Sequence, residues 1–246
     1  MILNYYNTKN IKKYIHFARF CDTITSVCIV SARNDNKGGF FKMKNNKTGP
    51  KELTLMGLLT AVLLMMSFTP LGYLNIGPLA ITFNVIPVAV AAAALGPKGS
   101  AVMGAVFGIT SFLQCLGIGG TSAMGVILFE INPVLAFLQR FVPRLLMGFL
   151  TGVIYNFVKK ISNSTVAGFA AGFSAAFLNT ALFMTALVLL FGNTEYVSEL
   201  IGGRNIIVFI CAFVGINAVF EMLSSTLITG IISKTLHKAK LIGGKN

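Results

Sequence analysis

The run NPVLAFLQRFVPRLLMGFLTGVIYNFV, Asn132 to Val158, decides how this chain is read. It is long and apolar enough to cross a bilayer, for which about 20 apolar residues suffice. Yet it carries Arg140 and Arg144 one helical turn apart, with no acid between them. Each arginine at the centre of a membrane helix costs roughly 2.5–3.5 kcal/mol, so the pair costs on the order of 5–7 kcal/mol. Residues four apart share a helix face, so the two charges repel unless an anion or a carboxylate lies near. Either they meet an anionic ligand, or they pair with Glu221 or with backbone carbonyls.

The 246 residues are 55% hydrophobic and only 11% charged, against about 25% charged in soluble domains. This is the composition of an integral membrane protein. Six candidate spans follow from Met43: Leu53–Phe68, Ile81–Leu95, Ser100–Leu116, about Val134–Val158, about Val166–Phe191 and about Ile206–Ser233. The expected fold class is all-α, an integral membrane bundle of six transmembrane helices. The net charge of +13 lies in lysine clusters between apolar runs, which suits topology control and argues against a nucleic-acid partner. Lys44, Lys47 and Lys51 precede the first span, and Lys98 lies between the second and third. Lys159 and Lys160 follow the fourth span, and Lys234, Lys238, Lys240 and Lys245 follow the sixth. Six crossings put all of these on one side, while the opposite loops hold Arg204 against Glu130, Glu195 and Glu199. Basic loops remain inside, so both termini are expected to be cytoplasmic. The outer loops SFTPLGYLNIGPLA and GIGGTSAMGVILFEINP are rich in Gly, Pro and aromatic residues. They read either as plain surface turns or as segments folded back over a cavity.

Residues 1–42 have no span-length apolar run and lack the order of a signal peptide. Lys37-Gly38-Gly39 can be encoded by AAAGGAGG, a ribosome-binding sequence, and Met43 follows shortly after. The expected division is therefore a non-native or disordered extension, residues 1–42, and a membrane domain, residues 43–246.

Other polar residues stand in apolar context: Asn84, Gln114, Asn179, Asn217 and Glu221. In lipid such side chains usually bond between helices for about 0.6–2 kcal/mol. By depth, Asn84 and Gln114 lie level with Arg140, and Asn179 and Asn217 near mid-membrane. Arg140, Arg144 and these four amides form the candidate substrate-binding set. Glu221 is about four turns into the last span, deeper than Arg140 and so a poor partner for it. Small residues recur at helical spacing: Ser100, Gly104 and Gly108; Gly148 and Gly152; Gly168 and Gly172. Such spacing lets backbones approach closely. Gly57 and Ala61 repeat the pattern on the first helix and are the candidate partner interface.

No GxxxxGK[ST], HExxH or GxSxG occurs, and the histidines are His16 and His237 alone. The cysteines Cys21, Cys28, Cys115 and Cys211 show no metal spacing. No catalytic residue and no metal ligand can be named, so an enzyme is not expected.

The stretches KELTLMGLLTAVLL, ITFNVIPVAVAAAALGPKGSAVMGAVFGITSF, FVPRLLMGFLTGVIYNFVKK and FLNTALFM carry a family likeness. The chain resembles the substrate-binding (S) subunits of energy-coupling factor (ECF) vitamin transporters. Its middle motif looks most like the branch predicted to take up pantothenate. The resemblance implies a multi-pass protein of the bacterial plasma membrane, with a vitamin site near the outer face capped by the loop after the first helix. It implies no cofactor in this chain, and as partners a transmembrane coupling subunit and two cytoplasmic ATPase subunits that hydrolyse ATP. The family's Ala-xxx-Ala, which faces the coupling subunit, is replaced here by Gly57-xxx-Ala61. Pantothenate is a carboxylate with hydroxyls and an amide, which suits a guanidinium fork and the Asn and Gln side chains. The alternatives are an S subunit for riboflavin or folate, and an autonomous proton-coupled transporter using Glu221.

Overall fold

Uncharged runs of Leu, Ala, Val and Phe can satisfy their own backbone groups only as helix, and helix dominates the structure. The computed structural model describes residues 50–69, 72–76, 79–118, 122–203 and 206–238. The expected leader, Arg204, Lys240 and Lys245 lie outside the described residues. In chain order the elements are α1 (Pro50–Phe68), β1 (Tyr73–Ile76), β2 (Leu79–Thr82), α2 (Val85–Cys115), α3 (Ala123–Ile131), α4 (Pro133–Ile161), α5 (Ser164–Phe191), α6 (Glu195–Ile201) and α7 (Ile206–Lys238). Among the described residues α2, α4 and α5 are long and apolar enough to cross a membrane, and Glu52–Phe68 of α1 is a shorter apolar helix. The 33 residues of α7 extend about 50 Å at 1.5 Å per residue.

The arginine-bearing helix α4 has defined ends. Asn132 Oδ1 accepts from the Val134 and Leu135 N–H groups at 3.0 and 3.2 Å, and Pro133 opens the first turn. A side-chain cap followed by proline suits a helix start, where N–H groups lack internal partners. Lys159 and Lys160 lie in the last turn, where the helix dipole favours cations.

α2 is broken at Gly96, whose φ of 70° and ψ of −165° lie outside the helical region. Glycine tolerates that backbone, and Pro97 after it has no N–H to donate. The break falls within the LGPKGS stretch expected between the second and third spans. It redirects the chain so that both halves enter one apolar cluster. Val85, Val88 and Ala89 from the first half join Met103 and Phe107 from the second, with Leu63 of α1, Met147 of α4 and Ala175 of α5. Val85 through Ala93 are all buried, so the first half lies at the centre of the bundle.

Two segments differ from the sequence expectation. Ile81 and Thr82, expected to begin a helix, belong to β2, and helix starts only at Val85. The strands pair antiparallel, with Tyr73 opposite Thr82 and Leu74 opposite Ile81. Pairing satisfies backbone groups that an apolar setting would leave bare, which lets the β-branched Ile81–Thr82 pair stay extended. Residues 123–131, expected as loop, form α3, started by Ser122, whose Oγ accepts from Gly125 N at 3.3 Å.

The small-residue spacings occur at helix crossings. A Cβ on Gly104 would fall on the Arg144 carbonyl oxygen, one on Gly148 on the Ser100 carbonyl, and one on Gly108 within 3.0 Å of the Phe141 Cα. The second half of α2 therefore packs backbone to backbone on α4. Gly172 does the same for α5 against the Ser225 carbonyl of α7, and Gly168 leaves room for the Ser233 side chain. A Cβ on Gly57 would meet nothing within 4 Å. Gly148→Val is expected to lose roughly 1–3 kcal/mol through overpacking, and Gly57→Val to keep wild-type stability. Thermal unfolding in detergent checks this, and equal midpoints for the two variants would refute the crossing.

Candidate functional site

The buried face of α4 carries Gln139, Arg140, Pro143, Arg144, Met147, Gly148 and Thr151. Arg140 is 6% exposed and Arg144 4%, so both guanidinium groups are taken up by the protein and neither faces lipid. Burial of an unmatched charge is expensive, and each cation meets a specific set of groups. Arg140 Nη2 donates to Ser122 Oγ at 3.2 Å. Arg144 Nη1 donates to the Arg140 carbonyl oxygen at 3.0 Å. The Phe183 ring of α5 lies 5.2 Å from the Arg140 guanidinium carbon and 5.1 Å from that of Arg144. Phe107 of α2 adds a second ring, 4.7 Å from Arg144. A ring face beneath a cation contributes about 0.5–2 kcal/mol, so the aromatic residues offset part of the desolvation. They cover the guanidinium faces, while Arg140 Nη2 and Arg144 Nη1 donate along the edges.

Gly125 of α3 makes the seat for Arg140. A Cβ there would lie 2.9 Å from Arg140 Nη2 and 2.7 Å from Cys115 Sγ. Only glycine lets the guanidinium rest against the first turn of α3.

Behind Arg144 stands an acid. Glu221 of α7 is 6% exposed, and its Oε1 accepts from Asn179 Nδ2 at 3.1 Å. The backbone N–H of Thr82 also donates to this carboxyl group, and Arg144 lies within electrostatic reach of it. Depth argued against a Glu221–Arg140 pair, and the arginine beside Glu221 is indeed Arg144.

Several buried polar atoms have no hydrogen-bond partner among the described residues: both side-chain atoms of Asn84 and Gln139, Arg140 Nε and Asn179 Oδ1. Asn84 precedes the first helical residue of α2 yet makes no capping bond, although Asn is a strong cap. Its Oδ1 would lie 2.9 Å from a Cβ on Gly72. An unsatisfied buried group costs about 1–3 kcal/mol, so each of these atoms carries a desolvation cost that no described residue offsets.

The expected site residues thus divide. Arg140 and Arg144 come together under Phe183, and Asn179 joins them through Glu221. Asn217 lies one turn before Glu221 on α7 and is half-buried. Gln114 has a structural bond, since its Nε2 donates to the Ser67 carbonyl at 2.6 Å and ties α2 to α1. Gly57 and Ala61 are exposed on α1. Sequence reasoning missed Phe107, Ser122, Gly125, Gln139 and Phe183. Two of these had local signals: Gln139, a polar residue beside Arg140 in an apolar run, and Phe183, four residues after Asn179 and so on the same helix face. Among the described residues no three His, Cys, Asp or Glu side chains gather to hold a metal.

Comparison with known proteins agrees with this architecture. Residues 51–233 match the family described as ECF transporter, substrate-specific component. The chain is 28% identical over 207 residues to the pantothenate transporter PanT of Leuconostoc mesenteroides subsp. mesenteroides, covering 79% of this chain and 95% of that one. It is 25% identical over 210 residues to the pantothenic acid transporter PanT of Lactococcus lactis subsp. cremoris, covering 80% and 98% respectively. The crystal structure of the S-component for biotin from an ECF-type ABC transporter superposes with a TM-score of 0.51 over 82% of this chain and 97% of that one. At 15% identity that likeness speaks to the fold. The matched segment runs through nearly every element described above, and this membrane protein belongs to the family of substrate-specific components of ECF transporters.

Proposed function

We propose that this chain binds pantothenate for an ATP-driven ECF importer. The observation that carries the reading is the buried arginine pair stacked on Phe183, in a bundle that also buries amide atoms with no hydrogen-bond partner among the described residues. A small monoanion with hydroxyls and an amide matches that inventory. Arg140, which meets one ring and the Ser122 hydroxyl where Arg144 meets two rings and Glu221, takes the carboxylate. Asn84 and Asn179 take the hydroxyls and the amide, joined by Gln139, while Gln114 holds α2 to α1. The names of the two curated relatives support the same cargo.

In this reading α1, the two halves of α2, α4, α5 and α7 are the six crossings, with both termini and the lysine clusters in the cytoplasm of a bacterium. The exposed Gly57–Ala61 face of α1 meets the transmembrane coupling subunit, and two ATPase subunits hydrolyse ATP. This chain itself binds no cofactor. Riboflavin is disfavoured because a neutral flavin leaves the arginines unmatched. Family membership favours energy from partner subunits over the proton-coupled alternative through Glu221.

Arg140→Ala is expected to weaken pantothenate binding at least about tenfold, the equivalent of 1.4 kcal/mol and below the usual worth of a charge-assisted hydrogen bond. The yield of folded protein should hold. Calorimetric titration decides, and unchanged affinity would remove Arg140 from the site. Phe183→Leu strips the ring from both cations and is expected to lower ligand-free stability by about 1–2 kcal/mol. A thermal midpoint equal to wild type would show that the ring does not support the pair.

A further inference from the structure

One buried group has no part in holding the cargo as described. Glu221 is the meeting point of four elements: its own helix α7, α5 through Asn179, α4 through Arg144 and β2 through the Thr82 backbone. We infer that Glu221 is a positioning residue that latches the β1–β2 hairpin onto the arginine-bearing core. The hairpin's inner end and the cationic site are then held by one carboxyl group.

The hairpin needs such an anchor. It is a two-stranded ribbon of four-residue strands, and an isolated ribbon of that size is marginally stable at best. At its inner end, Phe83 N donates to the Gly72 carbonyl at 3.0 Å, a bond internal to the loop. The Thr82 N–H is aimed outward instead, at Glu221, and β2 lies against α7. Asn179 Nδ2 keeps the carboxyl group turned toward the hairpin by occupying Oε1. Thr82 is two residues before Asn84, whose side chain packs on Gly72, so the latch also sets where Asn84 stands. Arg144, seated on Phe107 and Phe183, pulls on the same group from the other side.

The consequence concerns access. An anionic guest that approaches Arg144 competes with Glu221 for it, so the acid steers the guest's charge toward Arg140. Any motion of Glu221 away from Thr82 frees the hairpin. Occupancy of the arginine pair and closure of the hairpin are therefore linked through one side chain. The access argument rests on the reading of the arginines as the cargo's anion site; the latch itself does not.

Amide hydrogen exchange over residues 73–82 of ligand-free protein in detergent tests the latch, with the pantothenate dissociation rate as a second readout. Glu221→Ala is expected to speed hairpin exchange by about tenfold, the scale of one lost buried hydrogen bond, and to speed dissociation by a similar factor. Glu221→Gln retains an oxygen acceptor for the Thr82 N–H, so its hairpin exchange is expected within about threefold of wild type. Thr82→Pro, which removes an N–H donor aimed away from β1 while also fixing φ, is expected to reproduce the alanine phenotype and serves if Glu221→Ala does not fold. Wild-type hairpin exchange in Glu221→Ala or in Thr82→Pro would overturn the latch, as would equal acceleration in the Gln and Ala variants. Failure of the wild-type protein to bind pantothenate would count against the cargo alone, because exchange is read without ligand.

Discussion

The structure is organised around the burial of two permanent cations in an apolar bundle. A guanidinium cannot escape the problem by losing its proton, so everything packed around Arg140 and Arg144 has to compensate for lost water. The chain answers with three kinds of group: aromatic faces from Phe107 and Phe183, neutral oxygens from Ser122 and the Arg140 carbonyl, and the carboxyl group of Glu221 near Arg144 alone. The compensation is unequal. Arg144 has two rings and an acid, whereas Arg140 has one ring and a hydroxyl. That asymmetry is the ground for proposing Arg140 as the partner of the ligand's charge, with Arg144 in a supporting place.

Rigid backbone packing makes the asymmetry durable. Gly104 of α2 abuts the Arg144 carbonyl, and Gly148 abuts the Ser100 carbonyl, so neither helix can rotate without a clash. Gly125 lets α3 close over Arg140. The helix break at Gly96 returns the first half of α2 to the bundle centre, where Asn84 begins it. Each device is a position where a Cβ or a regular helix would displace a charged or amide group.

Much of this was legible in the sequence because it is local. Apolar runs marked the helices, the Gly-xxx-Gly spacings marked the crossings, and Gly96-Pro97 marked the break in α2. The unusual placement of Arg140 and Arg144 was visible without any neighbour. What the sequence concealed was pairing across distance. Arg140 meets Ser122 eighteen residues away, and Asn179 meets Glu221 forty-two away. No spacing rule reports such contacts. The hairpin was hidden because Leu79 to Thr82 is apolar and reads equally well as the first turn of a helix. Depth along a span likewise does not report the bond from Gln114 to the Ser67 carbonyl.

The account therefore stands on charge recognition by Arg140 in a closed apolar interior. Its most direct test is a pair of titrations on the unmodified protein, with pantothenate and with its neutral alcohol, in which a CH2OH group replaces the carboxylate. The account predicts that the acid binds and that the alcohol binds at least about tenfold more weakly, the loss of one charge-assisted contact. Equal affinity for the two, or tighter binding of the alcohol, would contradict it.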